Sequence, residues 1–336
     1  MQLTIKKEPL RNEYLESKRK SKSTRNSLLF KEVSNFLGLV FIVVFFTIIT
    51  KGRTVSFANL KLMGLQSIIL IIGGLGATFT LSHGTIDFSL GGVLGMSATA
   101  GALAGILHPS LILPVCILAG LVTGVFMAGV HITTKIPTII VGLAMMFVGR
   151  GITTIVGMKR KLNLPVSLNW MDNYWVYFSF LIIVLILAYI LFEFTKVGKY
   201  NKAMGSNMIA AKMSGIPLSR YKIYAFIISG ITVGICAFLS MLRTGSVDIA
   251  TGRGFELNVL ICLVLGGASL TGGTKIKLRG VIAGVLILTV LENGLIMWGI
   301  DVNIIGVVRG ILFLVVVGLS YDRQKGESEQ FFMPGL

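Results

Sequence analysis

The chain has 336 residues, 54% of them apolar and 13% charged, with a mean hydropathy of +0.84 and a formal net charge of +17. Ordinary soluble domains carry roughly 25% charged residues, and half that amount cannot coat a soluble chain of this size. A soluble enzyme, a disordered chain and a disulfide-built secreted domain are excluded. The 40 glycines follow no Gly-X-Y period, so they point to closely packed membrane helices and not to collagen.

Residues 1–33 form a basic segment, with nine Lys/Arg and three Glu up to Lys31. This stretch is too long to be the n-region of a cleaved signal. It reads as a cytoplasmic arm held near anionic lipid, and nucleic acid is not an expected partner. Residues 34–321 form a polytopic membrane domain, and 322–336 a cytoplasmic tail.

Apolar runs occupy 35–50, 62–81, 89–107, 111–132, 136–156, 175–194, 223–242, 257–270, 281–298 and 304–320. A helix needs about twenty apolar residues to cross the bilayer core. The expected fold is therefore an all-α integral membrane protein with about ten transmembrane helices. The third and eighth runs are short and Gly-rich. They are either broken helices beside a solute path or tightly packed spans.

Threading ten spans with both termini inside places 21 Lys/Arg inside and 8 outside, with Arg150 and Arg309 within spans. That bias supports an N-in, C-in orientation, although Lys159, Arg160 and Lys161 make an awkward outer cluster. Cys116, Cys236 and Cys262 lie in apolar runs and read as buried hydrophobes, with neither a zinc site nor a disulfide. His83, His108 and His131 sit at span ends and read as interfacial polar groups. Tyr174, Trp175 and Trp170 read as an aromatic belt, sugar stacking being the alternative.

The longest internal loop, 195–222, carries six Lys/Arg and no acid. Ser206 or Asn207 can cap a short helix over 208–214, which Gly215 ends and Pro217 keeps from continuing. The segment is either a solvated positive-inside loop or a docking helix for a cytoplasmic partner.

A charge deep in lipid costs at least about 2.5–3.5 kcal/mol on insertion scales. Asp87, followed by Ser89, therefore either caps the third helix or faces a solute path. Arg150 either snorkels to the outer interface or pairs with Glu292 or Asp87, and Arg309 poses the same choice. Glu292 and Asn293 offer hydrogen bonds that a neutral polar solute needs. No Walker A loop, HExxH or GxSxG occurs, and paired catalytic carboxylates are absent.

Five segments in order carry a resemblance: GTIDFSLGGVLGMSA, IPTIIVGLAMMFVGRGI, GKYNKAMGSNMIAAKMSGI, GRGFELNVLICLVLGGASLTGG and GVIAGVLILTVLENGLIMWGI. Together they resemble the transmembrane permeases of sugar-type ABC importers. The sequence departs from that pattern at Thr85, at Gly142-Leu143-Ala144 and at Glu292. The resemblance implies a fold similar to the vitamin B12 importer permease class. It also implies a second permease chain, identical or related, a cytoplasmic ABC ATPase and an extracytoplasmic solute-binding protein.

The implied solutes are ribose, other monosaccharides or autoinducer-2, and related branches move nucleosides. No cofactor is expected on this chain, with ATP bound by the partner, and no metal site. The candidate pathway residues are Asp87, Ser89, Arg150, Glu256, Glu292 and Asn293. Those for ATPase coupling are Gly205, Asn207, Ala210, Ala211, Ser214 and Gly215. The expected location is the bacterial inner membrane. The competing readings are an ion-coupled secondary transporter, which makes Asp87 and Glu292 essential, and a membrane enzyme or scaffold.

Overall fold

The computed structural model describes residues 38–159, 162–274 and 276–320; the basic arm, Arg160, Lys161, Lys275 and the C-terminal tail lie outside the described residues. Twelve α-helices follow in order: α1 (Gly38–Ile49), α2 (Phe57–Ser82), α3 (Leu90–Leu107), α4 (Ile112–Thr134), α5 (Thr138–Lys159), α6 (Tyr174–Tyr189), α7 (Lys196–Ser206), α8 (Met208–Met213), α9 (Leu218–Thr244), α10 (Phe255–Leu265), α11 (Leu278–Met297) and α12 (Val302–Ser320). Seven of these, α2 to α6, α9 and α11, are long and apolar enough to cross a membrane, while shorter apolar helices lie at Gly38–Ile49, Phe255–Leu265 and Asn303–Val315. Each of the ten apolar runs holds one helix.

α2 and α9 form the centre. In their apolar stretches 78% and 72% of residues are buried, against 28% in α5 and 22% in α6, which leave one broad apolar face open. A helix that is apolar all round belongs in the interior. α2 achieves this through small residues: Gly73 faces Phe255 of α10, Gly74 faces Val281 of α11, and Gly76 faces Thr232 of α9.

The α4–α9 contact is antiparallel and even closer. Gly120 and Gly124 sit four residues apart on α4, as Gly230 and Gly234 do on α9. A Cβ on Gly120 would overlap the Gly230 carbonyl, one on Gly124 the Phe226 carbonyl, and one on Gly234 would meet the Cys116 carbonyl. Backbone touches backbone there, which is how membrane helices gain dispersion contact where lipid supplies no hydrophobic drive.

A two-residue strand, β1 (Leu162–Asn163), pairs antiparallel with β2 (Ser246–Val247). The pairing places the ends of α5 and α9 on one face of the molecule. The end of α2, the end of α7 and the 271–273 loop meet on the opposite face, where Gly273 N–H donates to Ser82 O at 2.9 Å.

One open choice is decided and one expectation is corrected. The third run is one unbroken helix of 18 residues, α3, because its glycines face neighbours and do not interrupt its bonding. Residues 196–206 are α7, not loop. Thr195 caps it by accepting from Val197 N–H at 3.2 Å, after a π-helical turn at Ile190–Phe194 redirects the chain. Gly198 then lets α7 lie directly on the Phe192 backbone. The eighth run is short as expected. At about 1.5 Å per residue, the 11 residues of α10 cover roughly half of a ~30 Å hydrocarbon core. The Gly266–Gly267 turn ends the helix.

The packing generates a paired prediction within one helix. Gly120→Val should destabilise the detergent-solubilised protein by about 3 kcal/mol or more, because a backbone carbonyl cannot step aside. Gly129→Val, at a position with no atom within 4 Å, should leave thermal stability unchanged. Size-exclusion recovery after a temperature ramp reads both.

Candidate functional site

Two buried glutamates are each met by an arginine from another helix. Arg150 of α5 donates to Glu256, on the first turn of α10, at 2.5 Å. Arg309 of α12 grips Glu292 of α11 bidentately, Nε to Oε1 at 2.5 Å and Nη2 to Oε2 at 2.9 Å. Both glutamates are buried, with side-chain exposures of 5% and 2%, whereas the arginines keep 31% and 27%. Each pair thus buries its carboxylate and leaves its guanidinium partly open, which lowers the desolvation cost of the cation.

The expected partnership of Arg150 with Glu292 or Asp87 is therefore corrected. Gly91 makes the difference. A Cβ there would overlap Glu256 Oε2 and Gly252 O, so its absence lets α10 enter beside α3 and bring Glu256 to Arg150. Gly252, at φ +81°, takes a turn conformation that side chains resist. Glu292 then takes its cation from α12. Asn293, expected to meet solute, is instead in a reciprocal amide pair with Asn59 at the start of α2, at 2.7 and 2.9 Å.

Asp87 lies in the non-helical stretch between α2 and α3, 5% exposed. Its Oδ1 accepts from Ser89 N–H at 2.8 Å, and no cation among the described residues pairs with it. Asp87 closes a turn on Ser89, the residue before α3, and the Ser89 side chain makes no cap bond to the helix. Gly142 of α5 packs on this turn, where a Cβ would lie 3.1 Å from Phe88 N. Asp87, Ser89, Gly124 and Ser229 border a small cavity.

On the face opposite β1 and β2, α7 and α8 build a stiff corner. Gly205 touches Ser82 and Gly273 backbone so closely that no Cβ fits. Asn207 caps α8, its Oδ1 accepting from Ala210 N–H at 2.9 Å. At the other end Gly215, at φ +77°, donates to Lys212 O at 3.0 Å, and Ile216 donates to Ala211 O at 3.1 Å. This double bond pattern satisfies the last carbonyls of the helix. Ser214 adds a bond to Ala210 O at 2.9 Å. Ala211 is buried with Met204 and Tyr221, whereas Ile209 and Met213 point outward, 59% and 85% exposed.

Sequence reasoning did not single out Ile209, Met213 or Asn59. The first two are apolar residues four apart in a polar segment, a pattern that could have marked an exposed helix face. Asn59 carried no signal, because its partner is 234 positions away. His83 is not interfacial: it is 1% exposed, with ring nitrogens 3.1 Å from Phe79 O and 2.8 Å from Thr85 Oγ1. Trp170 and Trp175 are exposed as an interface belt requires, and all three cysteines are buried and free. Among the described residues no group of three or more His, Cys, Asp or Glu side chains gathers as a metal site would need.

The bidentate pair generates a sharp test. Removing one member of a buried pair costs about 3–5 kcal/mol, whereas replacing both by apolar residues is often neutral. Arg309→Leu should therefore lower the thermal midpoint more than Arg309→Leu combined with Glu292→Leu. Equal losses would show that Glu292 does not depend on Arg309.

Residues 60–317 match the family described as branched-chain amino acid transport system / permease component. The ribose import permease RbsC of Haemophilus influenzae is 27% identical over 75% of this chain and 81% of its own length. The L-arabinose ABC transporter permease AraH of Azospirillum brasilense is 31% identical over 73% and 75%, and the autoinducer 2 import permease LsrC of an Enterobacter strain is 30% identical over 73% of each chain. No solved structure matches. With seven apolar helices of spanning length, this chain is a multi-pass inner-membrane protein that belongs to the permease family that includes these import permeases.

Proposed function

We propose that this chain is the membrane-spanning subunit of a binding-protein-dependent ABC importer for a monosaccharide or sugar-like solute such as ribose, an arabinose-like pentose or autoinducer-2. The observation that carries this reading is α8. It is capped at both ends, seated on Gly205 and Ala211, and presents Ile209 and Met213 to a partner. A six-residue helix with two exposed apolar side chains has little reason to be so firmly held unless something docks on it. The partner is a cytoplasmic ABC ATPase, which binds the ATP that this chain has no Walker A loop to hold. The chain acts as a transport subunit and leaves hydrolysis to that partner.

Ten crossings with both termini inside fit this arrangement. The α8 face is then the side that collects most of the Lys and Arg, as the positive-inside rule requires. The solute-binding protein docks on the β1–β2 face, and a second permease chain completes the path. ATPase closure pushes α8. Gly205 passes the motion to the end of α2 and to the 271–273 loop, and from there to the two non-helical stretches that precede α3 and follow α10. The pair Arg150–Glu256 holds the start of α10 against α5, and Arg309–Glu292 ties the neighbouring α11 to α12, so that the half-helix moves as one lever. Alternating access requires that ATPase and solute each bind the two states with different affinity. Asp87 and Ser89 line the path at the α3 end.

Uptake of radiolabelled pentoses, hexoses, nucleosides and autoinducer-2 should require the ATPase. Met213→Glu and Gly215→Pro should each reduce uptake about tenfold or more at unchanged membrane abundance, and Met213→Glu should also lose the co-purifying ATPase. Uptake that persists without the ATPase and collapses with the proton gradient would identify a secondary transporter instead.

A further inference from the structure

The small cavity between the start of α3 and α9 joins two polar groups that the ion pairs and caps leave unexplained. It has a volume of about 10 Å³, and Asp87, Ser89 and Ser229 supply its polar lining. Gly124 of α4 and Gly230 of α9 border it without side chains. Ser229 is 1% exposed, and its Oγ has no hydrogen-bond partner among the described residues. A hydroxyl inside a helix ordinarily bonds back to the carbonyl one turn earlier, as Thr78, Thr99 and Thr123 do at 2.7–2.8 Å. Ser229 does not, although it is as deeply buried. Asp87 spends Oδ1 on the Ser89 N–H. A carboxylate offers about four acceptor sites, so this bond leaves it able to accept others.

We propose that this cavity is a binding site for one water molecule, which donates to the Asp87 carboxylate and accepts from the Ser229 hydroxyl. A cavity needs about 10–15 Å³ to hold a water, and such a water typically makes about three hydrogen bonds. Size and lining both match, with Ser89 as the third polar neighbour. An apolar cavity of this kind stays dry, but a buried hydroxyl and a buried carboxylate each lose free energy without a partner. A larger ligand does not fit. A cation is disfavoured by the positive dipole end of α3, an 18-residue helix that starts three residues after Asp87. The water gives α9 two kinds of contact. α4 meets it backbone to backbone at Gly120 and Gly124. At Asp87 the non-helical stretch before α3 meets it through an exchangeable molecule, a contact that bulk water replaces when the two separate. The assignment rests on neither the solute, the ATPase nor the membrane orientation.

Thermal unfolding of the purified full-length chain in neutral detergent tests it without any transport readout. We expect Ser229→Ala to lower the midpoint by about 2–4 °C, because the bound water loses a partner. A hydroxyl that is simply unpaired gives the opposite sign, since deleting a buried unsatisfied group removes a penalty. A midpoint that rises or stays would therefore overturn the proposal. Asp87→Ala combined with Ser229→Ala should cost less than the sum of the two single losses, because both groups hold the same water. Additive losses would count against it in the same way. In the unmodified chain, an electron-microscopy map that resolves ordered water should show a peak about 2.5–3.2 Å from an oxygen of each residue. A Ser229 hydroxyl bonded directly to Asp87 would sink the assignment. So would a midpoint that is higher in sodium or potassium than in choline and loses that difference in Asp87→Asn, which would make this a cation site.

Discussion

Backbone N–H and C=O groups at membrane depth must find partners inside the protein, and this constraint shapes the molecule. Most of the chain meets it with helices. Two stretches do not: the one that links α2 to α3, and the one that follows α10. They satisfy much of their need locally and against each other. Gly84 N–H donates to Leu81 O, Thr85 N–H to Thr80 O, Ala268 N–H to Leu263 O and Gly273 N–H to Ser82 O. The last bond joins the two stretches, and Gly84 and Gly272 approach each other so closely that a side chain on Gly272 would meet the Gly84 backbone. The first stretch is largely buried in protein, whereas Gly267, Thr271 and Thr274 of the second are exposed.

The same junction connects the interior to the face that carries α8. Gly205 of α7 stacks on Ser82 and Gly273, so the corner built by α7 and α8 bears directly on both irregular stretches. At the far end, two carboxylates are buried and each is met by an arginine from a different helix. Such pairs contribute less to stability than their short distances suggest, because desolvation offsets much of the attraction. What they supply is register. Glu256 and Glu292 can each be satisfied in one position of α10 and α11 relative to α5 and α12. The molecule therefore has a stiff half-helix, clamped by charge at one end and by backbone contacts at the other.

Much of this was legible in the chain itself. The approximate bounds of the long apolar helices followed from apolar run length. The α8 cap and stop followed from Asn207, Gly215 and Pro217, which act within one turn. The shortness of α10 followed from Gly266-Gly267. The pairings did not follow. Arg150 was offered Glu292 or Asp87, and its pairing with Glu256 instead depends on the missing side chain at Gly91, a packing fact on another helix. α7 was read as loop because its Lys-rich face is polar and its support is tertiary: Gly198 on Phe192 and Lys202 on Glu193.

The sequence by itself determined a multi-pass membrane protein, its ten apolar segments, a short capped helix between the sixth and seventh, and the kinship of five ordered motifs. These are local or compositional properties, set by hydropathy over about twenty residues and by capping chemistry over four or five. Only the tertiary structure decided which glycines are contact points, which acid meets which base, that Asn293 is occupied by Asn59, and that Ile209 and Met213 are left outside. Those outcomes depend on distances between residues tens to hundreds of positions apart, which no local pattern encodes.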